Sequence, residues 1–278
     1  VVVVVVGGGD VDGVVVKMFR SAKDVTAVAP RTRALFDGLV TAERSNGGGD
    51  VPRARAIALL YAAQLLALRV RTADDALEQL LASRRIAFDL ALDLHDVASP
   101  GAAGDTGAPF TQAIFVRPYL STLTPGTELR AFVVGTRCTA LSQYYTDCYF
   151  EQLARHRDAY VRAALACIAS FADKLSHLQR YVLDLAVLPA STAAGGGDDG
   201  GGGGSDAAGA APPSLRCVVI EVNPWHASTG AALFDWQHDD DVLHGTARGV
   251  TDTVVRIRDA PPLVADASLY PEWRHWLA

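Results

Sequence analysis

The sequence predicts an α+β fold, and three observations carry that prediction. Apolar residues recur at helical spacing over 30–40, 53–68 and about 150–178, whereas β-branched and aromatic runs separated by turn residues fill 112–145 and 181–224. The stretch SPGAAGDTGAP, Ser99–Pro109, has the composition of a connection and divides the chain into an N-terminal part, 1–108, and a C-terminal part, 109–278. Half of the 278 residues are hydrophobic, enough to build one large core or two smaller lobes.

Taken in order, Val1–Val6, the turn-rich GGGDVDG and the following VVVKMF read as a β-hairpin. The glycines match neither GxGxxG before a helix nor GxxxxGK[ST], and Asp10 and Asp12 would repel phosphate. Helices are predicted over Pro30–Val40 and Arg53–Leu68, with the polar loop SNGGGD between them. The apolar run Ala54–Leu68 contains Arg55 and Gln64 and is shorter than the ~20 residues that cross a bilayer, so no membrane span is expected. The opening VVVVVV lacks a basic flank and is too short for a signal-peptide core. Thr72 and Asp75 form a capping-box pattern ahead of an apolar face of Ala76, Leu77, Leu80 and Leu81.

The second half is mixed. QAIFVRPYL, TELRAFVVG and RCTALSQYY are strand candidates, the first two joined by the turn sequence TPG. A single long helix is expected from about Phe150 to Leu178, with Val161, Leu165, Ile168, Ala172 and Leu175 on its apolar face. YVLDLAVL and CVVIEVNP are two further strands, separated by a glycine-rich insertion at 191–213. Because loop-closure entropy grows only logarithmically with length, that insertion leaves the two strands able to pair.

Charge and cysteine content exclude several function classes. A net charge of −6 and a pI near 5.6 argue against broad binding to nucleic acid. Four cysteines without a CxxC pair suit neither a disulfide framework nor a structural zinc site, which fits a reducing, cytoplasmic setting. Nucleophilic catalysis finds no GxSxG, and His226, directly after Trp225, reads equally as a flank of a site or as a satisfied loop histidine.

The chemically costly residues sit within apolar strands. Asp184 lies in YVLDLAVL, where a lone ionised carboxylate needs a partner: a cation, a backbone N–H or an arginine. Strict alternation in CVVIEVNP puts Val218, Ile220 and Val222 on one face and Glu221 with Asn223 on the other. Two carboxylates and an amide oxygen converging from paired strands suit Mg²⁺, whose remaining positions are filled by phosphates and water. Lys17, Arg117 and Arg130 each place one cation amid apolar strand neighbours. Any one of them could reach solvent past its neighbours, but together they are what a polyphosphate requires.

A strand EVN preceded by a separate strand aspartate, with a lysine strand earlier, resembles the ATP-grasp fold, in which two α+β lobes clamp ATP. More narrowly, the blocks GVVVKMFRSAKD, TADDALEQLLASRRIAFDL, FVRPYLSTLTPGTELRAFVVGTRCTALSQYYTDCYFEQL and YVLDLAVL…VVIEVNPWHASTGAALFDW resemble, in order, the cell division cycle protein 123 (D123) family. That resemblance implies ATP and Mg²⁺ as ligands. Lys17 and Arg130 would contact phosphates, Arg117 and Tyr119 would form the hinge beside adenine, and Asp184, Glu221 and Asn223 would hold magnesium. The chain departs from the family pattern at Phe19 and Arg20, at Tyr144 and Tyr145, and at Glu221, where an aspartate is usual. The resemblance further implies an ATP-binding assembly factor, a chaperone for the gamma subunit of eukaryotic translation initiation factor 2. The alternative is a carboxylate–amine or carboxylate–thiol ligase proceeding through an acyl phosphate, for which Arg20, Lys23 and His226 are candidate acceptor-pocket residues.

Overall fold

The computed structural model describes residues 2–5, 14–18, 25–47, 49–98, 113–190, 214–262, 269 and 271–277. The chain is mixed α+β and divides into two compact units, Val1–Ser121 and Thr122–Ala278. The connection-like stretch 99–109 and the insertion 191–213 lie outside the described residues.

In the first unit, strands β1 (Val2–Val5) and β2 (Val14–Met18) are followed by helices α1 (Ala29–Gly47), α2 (Arg53–Ala67), α3 (Ala73–Ala82) and α4 (Arg84–Ala98), then by strand β3 (Ala113–Pro118). The expected β1–β2 hairpin does not form. The sheet order is β1-β3-β2, with β1 parallel and β2 antiparallel to β3. The apolar run AIFV of β3 takes the central place and pairs along both edges, a long-range competition that local turn chemistry cannot register.

Helix α2 buries Ile57, Leu60, Ala63 and Ala67 completely, which explains its nearly uninterrupted apolar sequence. Arg31 of α1 ties this end of the unit together. It donates to the carbonyls of Ala67 and Arg69 at 3.2 and 3.1 Å and to Asp75 at 3.1 Å. The capping box of α3 forms as expected: Thr72 Oγ1 accepts from the Asp75 N–H at 3.1 Å, and the Asp75 carboxylate accepts from the Thr72 N–H at 3.2 Å. The Arg71 backbone N–H, first among several donors, holds the Asp75 carboxyl below the usual carboxylate range. The apolar face expected on α3 is not buried as a whole, because Leu77 and Leu81 are 55% and 83% exposed. A capping box sets where a helix begins and leaves open which side it covers.

The second unit holds β4 (Glu128–Val134), β5 (Arg137–Gln143), helices α5 (Glu151–Arg155) and α6 (Arg157–Phe171), β6 (Arg180–Pro189), β7 (Leu215–Pro224), the short helix α7 (Asp240–His244) and β8 (Val254–Arg256). The TPG turn forms at Pro125–Thr127, with the Thr127 hydroxyl donating to the Thr124 carbonyl at 2.8 Å. It nevertheless joins strands of different sheets, since β3 belongs to the first sheet and β4 to a second one ordered β7-β6-β4-β5-β8. The long helix expected over 150–178 is broken at His156, whose backbone leaves helical geometry (φ −107°, ψ 23°), and α6 ends at Phe171. Its buried stripe is Tyr160, Ala164, Cys167 and Ile168, with Val161 and Leu165 only partly covered, so the stripe is rotated from the one expected.

The second sheet has two distinct faces. Leu129, Ala131, Leu141, Leu183 and Leu185 pack under α6, the main core of the unit. The opposite face carries an aromatic cluster of Phe132, Trp225, Phe234 and Trp236 beside a row of polar side chains. All four cysteines are free thiols, and burial pushes those of Cys138 and Cys148 up to about 12, away from any reactive range. Among the described residues, no helix is long and apolar enough to cross a membrane.

Candidate functional site

The polar row arises from register. Arg130 on β4 stands opposite Asp184 on β6, and Asp184 stands opposite Glu221 on β7, so three adjacent strands bring a cation and two carboxylates into line. Asn223 follows two positions along β7, opposite Val182. The pairing of β6 with β7 is continuous from Tyr181–Pro224 to Pro189–Leu215 apart from one irregularity, where Asp184 pairs with Glu221 but Leu185 pairs with Val219.

That irregularity is a β-bulge at Ile220, and it corrects the alternation read from the sequence. Val218 falls opposite Ala186, on the face of Glu221, while Val219 falls opposite Leu185 and joins the core under α6. Without the extra residue, a strand whose Cys217 and Val219 fill the core would carry Glu221 to the core face as well. The bulge turns the acid to the open side, the use to which bulges are put near functional sites.

The side chains interlock. Arg130 is 8% exposed and Asp184 2%. Arg130 Nε and Nη2 donate to Asp184 Oδ1 and Oδ2 at 2.8 and 2.9 Å, a bidentate pair. Its Nη1 donates to the Gly230 carbonyl at 2.6 Å, and Asn223 Nδ2 donates to Asp184 Oδ2 at 2.9 Å. The Tyr144 ring lies against the guanidinium, 4.7 Å from its central carbon to the ring centroid. Burial draws the Arg130 pKa down, but the hydrogen bonds to Asp184 and the charges of Asp184, Tyr144 and Glu221 carry it above the ordinary arginine value.

The loop after β7 closes the site. Trp236 Nε1 donates to the Thr229 carbonyl at 2.7 Å, and Thr229 Oγ1 donates to the Pro224 carbonyl at 2.9 Å, which fixes the backbone that offers Gly230 to Arg130. His226 turns to its own loop, with Nδ1 2.8 Å from Ser228 Oγ.

Arg130, Asp184, Glu221 and Asn223 therefore share one side of one sheet. The other three candidate residues belong to the first unit. By register Lys17 pairs with Phe115 and Arg117 with Val15, positions that share a face of the first sheet. Tyr119 lies beneath Arg69, whose guanidinium carbon is 5.1 Å from the ring centroid; burial raises the phenol pKa and the nearby Arg69 and Arg71 charges oppose that rise. Phe19, Arg20 and Lys23, and the aspartates at 10 and 12, lie outside the described residues.

Magnesium chemistry fits the second-unit row. The carboxylates of Asp184 and Glu221 stand side by side, with Asn223 two positions along, and each of the three can present an oxygen. Among the described residues no cluster of three or more Asp, Glu, His or Cys could enclose a metal, so such an ion would depend on phosphate and water for its remaining positions. The sequence singles out neither Gly230 nor Glu128, and Tyr144 only as a departure from the family pattern. Glu128 is fully buried two residues before Arg130 and accepts from the Tyr145 hydroxyl at 3.4 Å. Its glutamate in an apolar strand carries the same signal as Asp184; the place of the other two at the site becomes visible only through register.

The D123 family model matches residues 60–258. Among solved structures, Cdc123 from Schizosaccharomyces pombe aligns at 19% identity and a TM-score of 0.45, covering 87% of this chain and 89% of that one. A C-terminally truncated form of the same protein aligns at 19% identity and 0.46, with the same coverage. No curated protein matches the chain in sequence.

Proposed function

The chain belongs to the D123 family, and on that premise we propose that it binds ATP and Mg²⁺ as an ATP-grasp protein and serves in the cytoplasm as an assembly factor for the gamma subunit of eukaryotic translation initiation factor 2. The observation that supports nucleotide binding most directly is the cross-strand register of Asp184 with Glu221, beside Asn223 and Arg130. The partner rests on the sequence blocks that resemble the family.

In this reading Asp184, Glu221 and Asn223 hold the metal. A magnesium ion held by these residues would supply positive charge to offset that of phosphate. Asn223 steadies Asp184 through its amide donor. Arg130 offsets part of the carboxylate charge and has a hydrogen left on each terminal nitrogen for a phosphate oxygen. On the family resemblance, Lys17 would contact phosphate, and Arg117 with Tyr119 would form the hinge beside adenine.

Calorimetric titration of the full chain with ATP, with and without Mg²⁺, tests the reading. Magnesium-dependent binding is expected in the wild type, weakened at least about tenfold in Asp184→Asn and in Glu221→Gln. Absence of binding to the wild type would end the nucleotide proposal. Sustained ADP release that depends on a carboxylate acceptor would favour the ligase over the assembly factor.

A further inference from the structure

Resting on the nucleotide reading above, we infer that Tyr144 and Arg130 form a single positioning unit for Asp184, in which the tyrosine ring holds the guanidinium plane and the guanidinium holds the carboxylate. A phosphate-binding arginine at the mouth of a site usually keeps its donors turned to the ligand. Arg130 commits one donor from each of its three nitrogens to the protein, two to Asp184 and one to Gly230, and keeps one hydrogen on each terminal nitrogen. A guanidinium carries five N–H groups in one fixed plane, so three bonds in different directions fix that plane's edges.

The plane's faces remain, and Tyr144 takes one of them at 4.7 Å. Its backbone is tied to the strand that bears Arg130, since the Tyr144 N–H donates to the Glu128 carbonyl at 3.1 Å. Tyr144 also stands two residues after Ser142, the cross-strand partner of Arg130, which brings the ring to the same side of the sheet. Asn223 reaches Asp184 from the far side, on β7. The carboxylate is thus oriented from both neighbouring strands, and Tyr144 is the outermost part of that support. Its effect passes through Arg130.

The test uses ¹⁵N NMR of the full chain, following the Arg130 Nε–H, identified by its absence in Arg130→Lys. In the wild type and in Tyr144→Phe, which keeps the ring, this proton is expected to be protected from exchange with water. In Tyr144→Ala its exchange is expected to speed up about tenfold, and the Mg²⁺ concentration that half-saturates ATP binding to rise about three- to tenfold, with affinity at saturating Mg²⁺ little changed. Should the alanine variant fail to fold, Tyr144→Leu, which fills the space without a π face, takes its place. Undiminished Nε–H protection in a folded ring-less variant would overturn the inference. So would a fall in ATP affinity that is equal at every Mg²⁺ concentration, because that would make Tyr144 a contact of the nucleotide itself. If the wild type takes up no ATP, the functional reading fails separately, and the Nε–H comparison still decides whether Tyr144 positions Arg130.

Discussion

Replacing Arg130 with methionine is expected to lower the stability of the second unit by about 3–5 kcal/mol. The loss comes less from the vanished attraction than from what stays behind. Asp184, 2% exposed, would keep the Asn223 amide but lose both guanidinium hydrogen bonds while standing opposite Glu221 across the strand. Burying that charge uncompensated is the dominant cost, so the double change Arg130→Met with Asp184→Leu should recover most of the stability. Urea denaturation followed by tryptophan fluorescence measures the three variants; a double variant as damaged as the sum of the singles would contradict this account. The effect should not depend on pH near neutrality through Arg130. Its folded pKa is raised, so its contribution is complete at every pH below the ordinary arginine value and is lost only as pH climbs through the raised one.

Phe132→Ala is expected to cost a similar amount, about 3–5 kcal/mol, and to disturb the site as well. Phe132 is fully buried, with ring centroids 5.9 Å from Trp225, 5.9 Å from Phe234 and 5.5 Å from Trp236, each edge to face. Removing it opens a cavity at the centre of the cluster. Trp236 then loses the surface against which it holds the Thr229 carbonyl, and the next residue, Gly230, is the one that accepts from Arg130. Phe132→Leu should keep most of the volume and cost about 1–1.5 kcal/mol. Denaturation curves and the tryptophan emission maximum distinguish the two: a red shift is expected for alanine and little change for leucine. Equal stability of the alanine variant and the wild type would mean that the cluster is not a core.

Much of this was legible because burying polar groups is costly. An aspartate within YVLDLAVL and an arginine within ELRAFVV are conspicuous anywhere, and two apolar strands on either side of a glycine-rich insertion are natural partners. The errors fall where the outcome depends on distant chain. The turn residues GGGDVDG predict a β1–β2 hairpin, yet β3, far along the sequence, separates the two strands. TPG before β4 is a turn, as its residues predict, but it joins strands of different sheets and is not the tip of a pair. Helix α3 shows the converse, with an apolar pattern that does not by itself produce burial at Leu77 and Leu81. Tyr144 stands out in the sequence only as a departure from the family pattern, and its place beside Arg130 follows only from the register of β4 with β5.

The bulge at Ile220 also governs how the gene tolerates change. Along β4 and β6, sensitivity to polar substitution should alternate residue by residue, core positions such as Ala131 and Leu183 rejecting it and their neighbours answering to a different constraint. Along β7 that rhythm should slip by one step at Ile220, so that Val219 and Val222 point to the same side although they are an odd distance apart, with a weaker response at Val222, which is 43% exposed. Deleting Ile220 would put the rhythm back in step and, with it, turn either Glu221 and Asn223 or Cys217 and Val219 to the wrong side. A single codon in the middle of a hydrophobic word therefore keeps the reading frame between the part of the strand that folds the protein and the part that gives it something to hold.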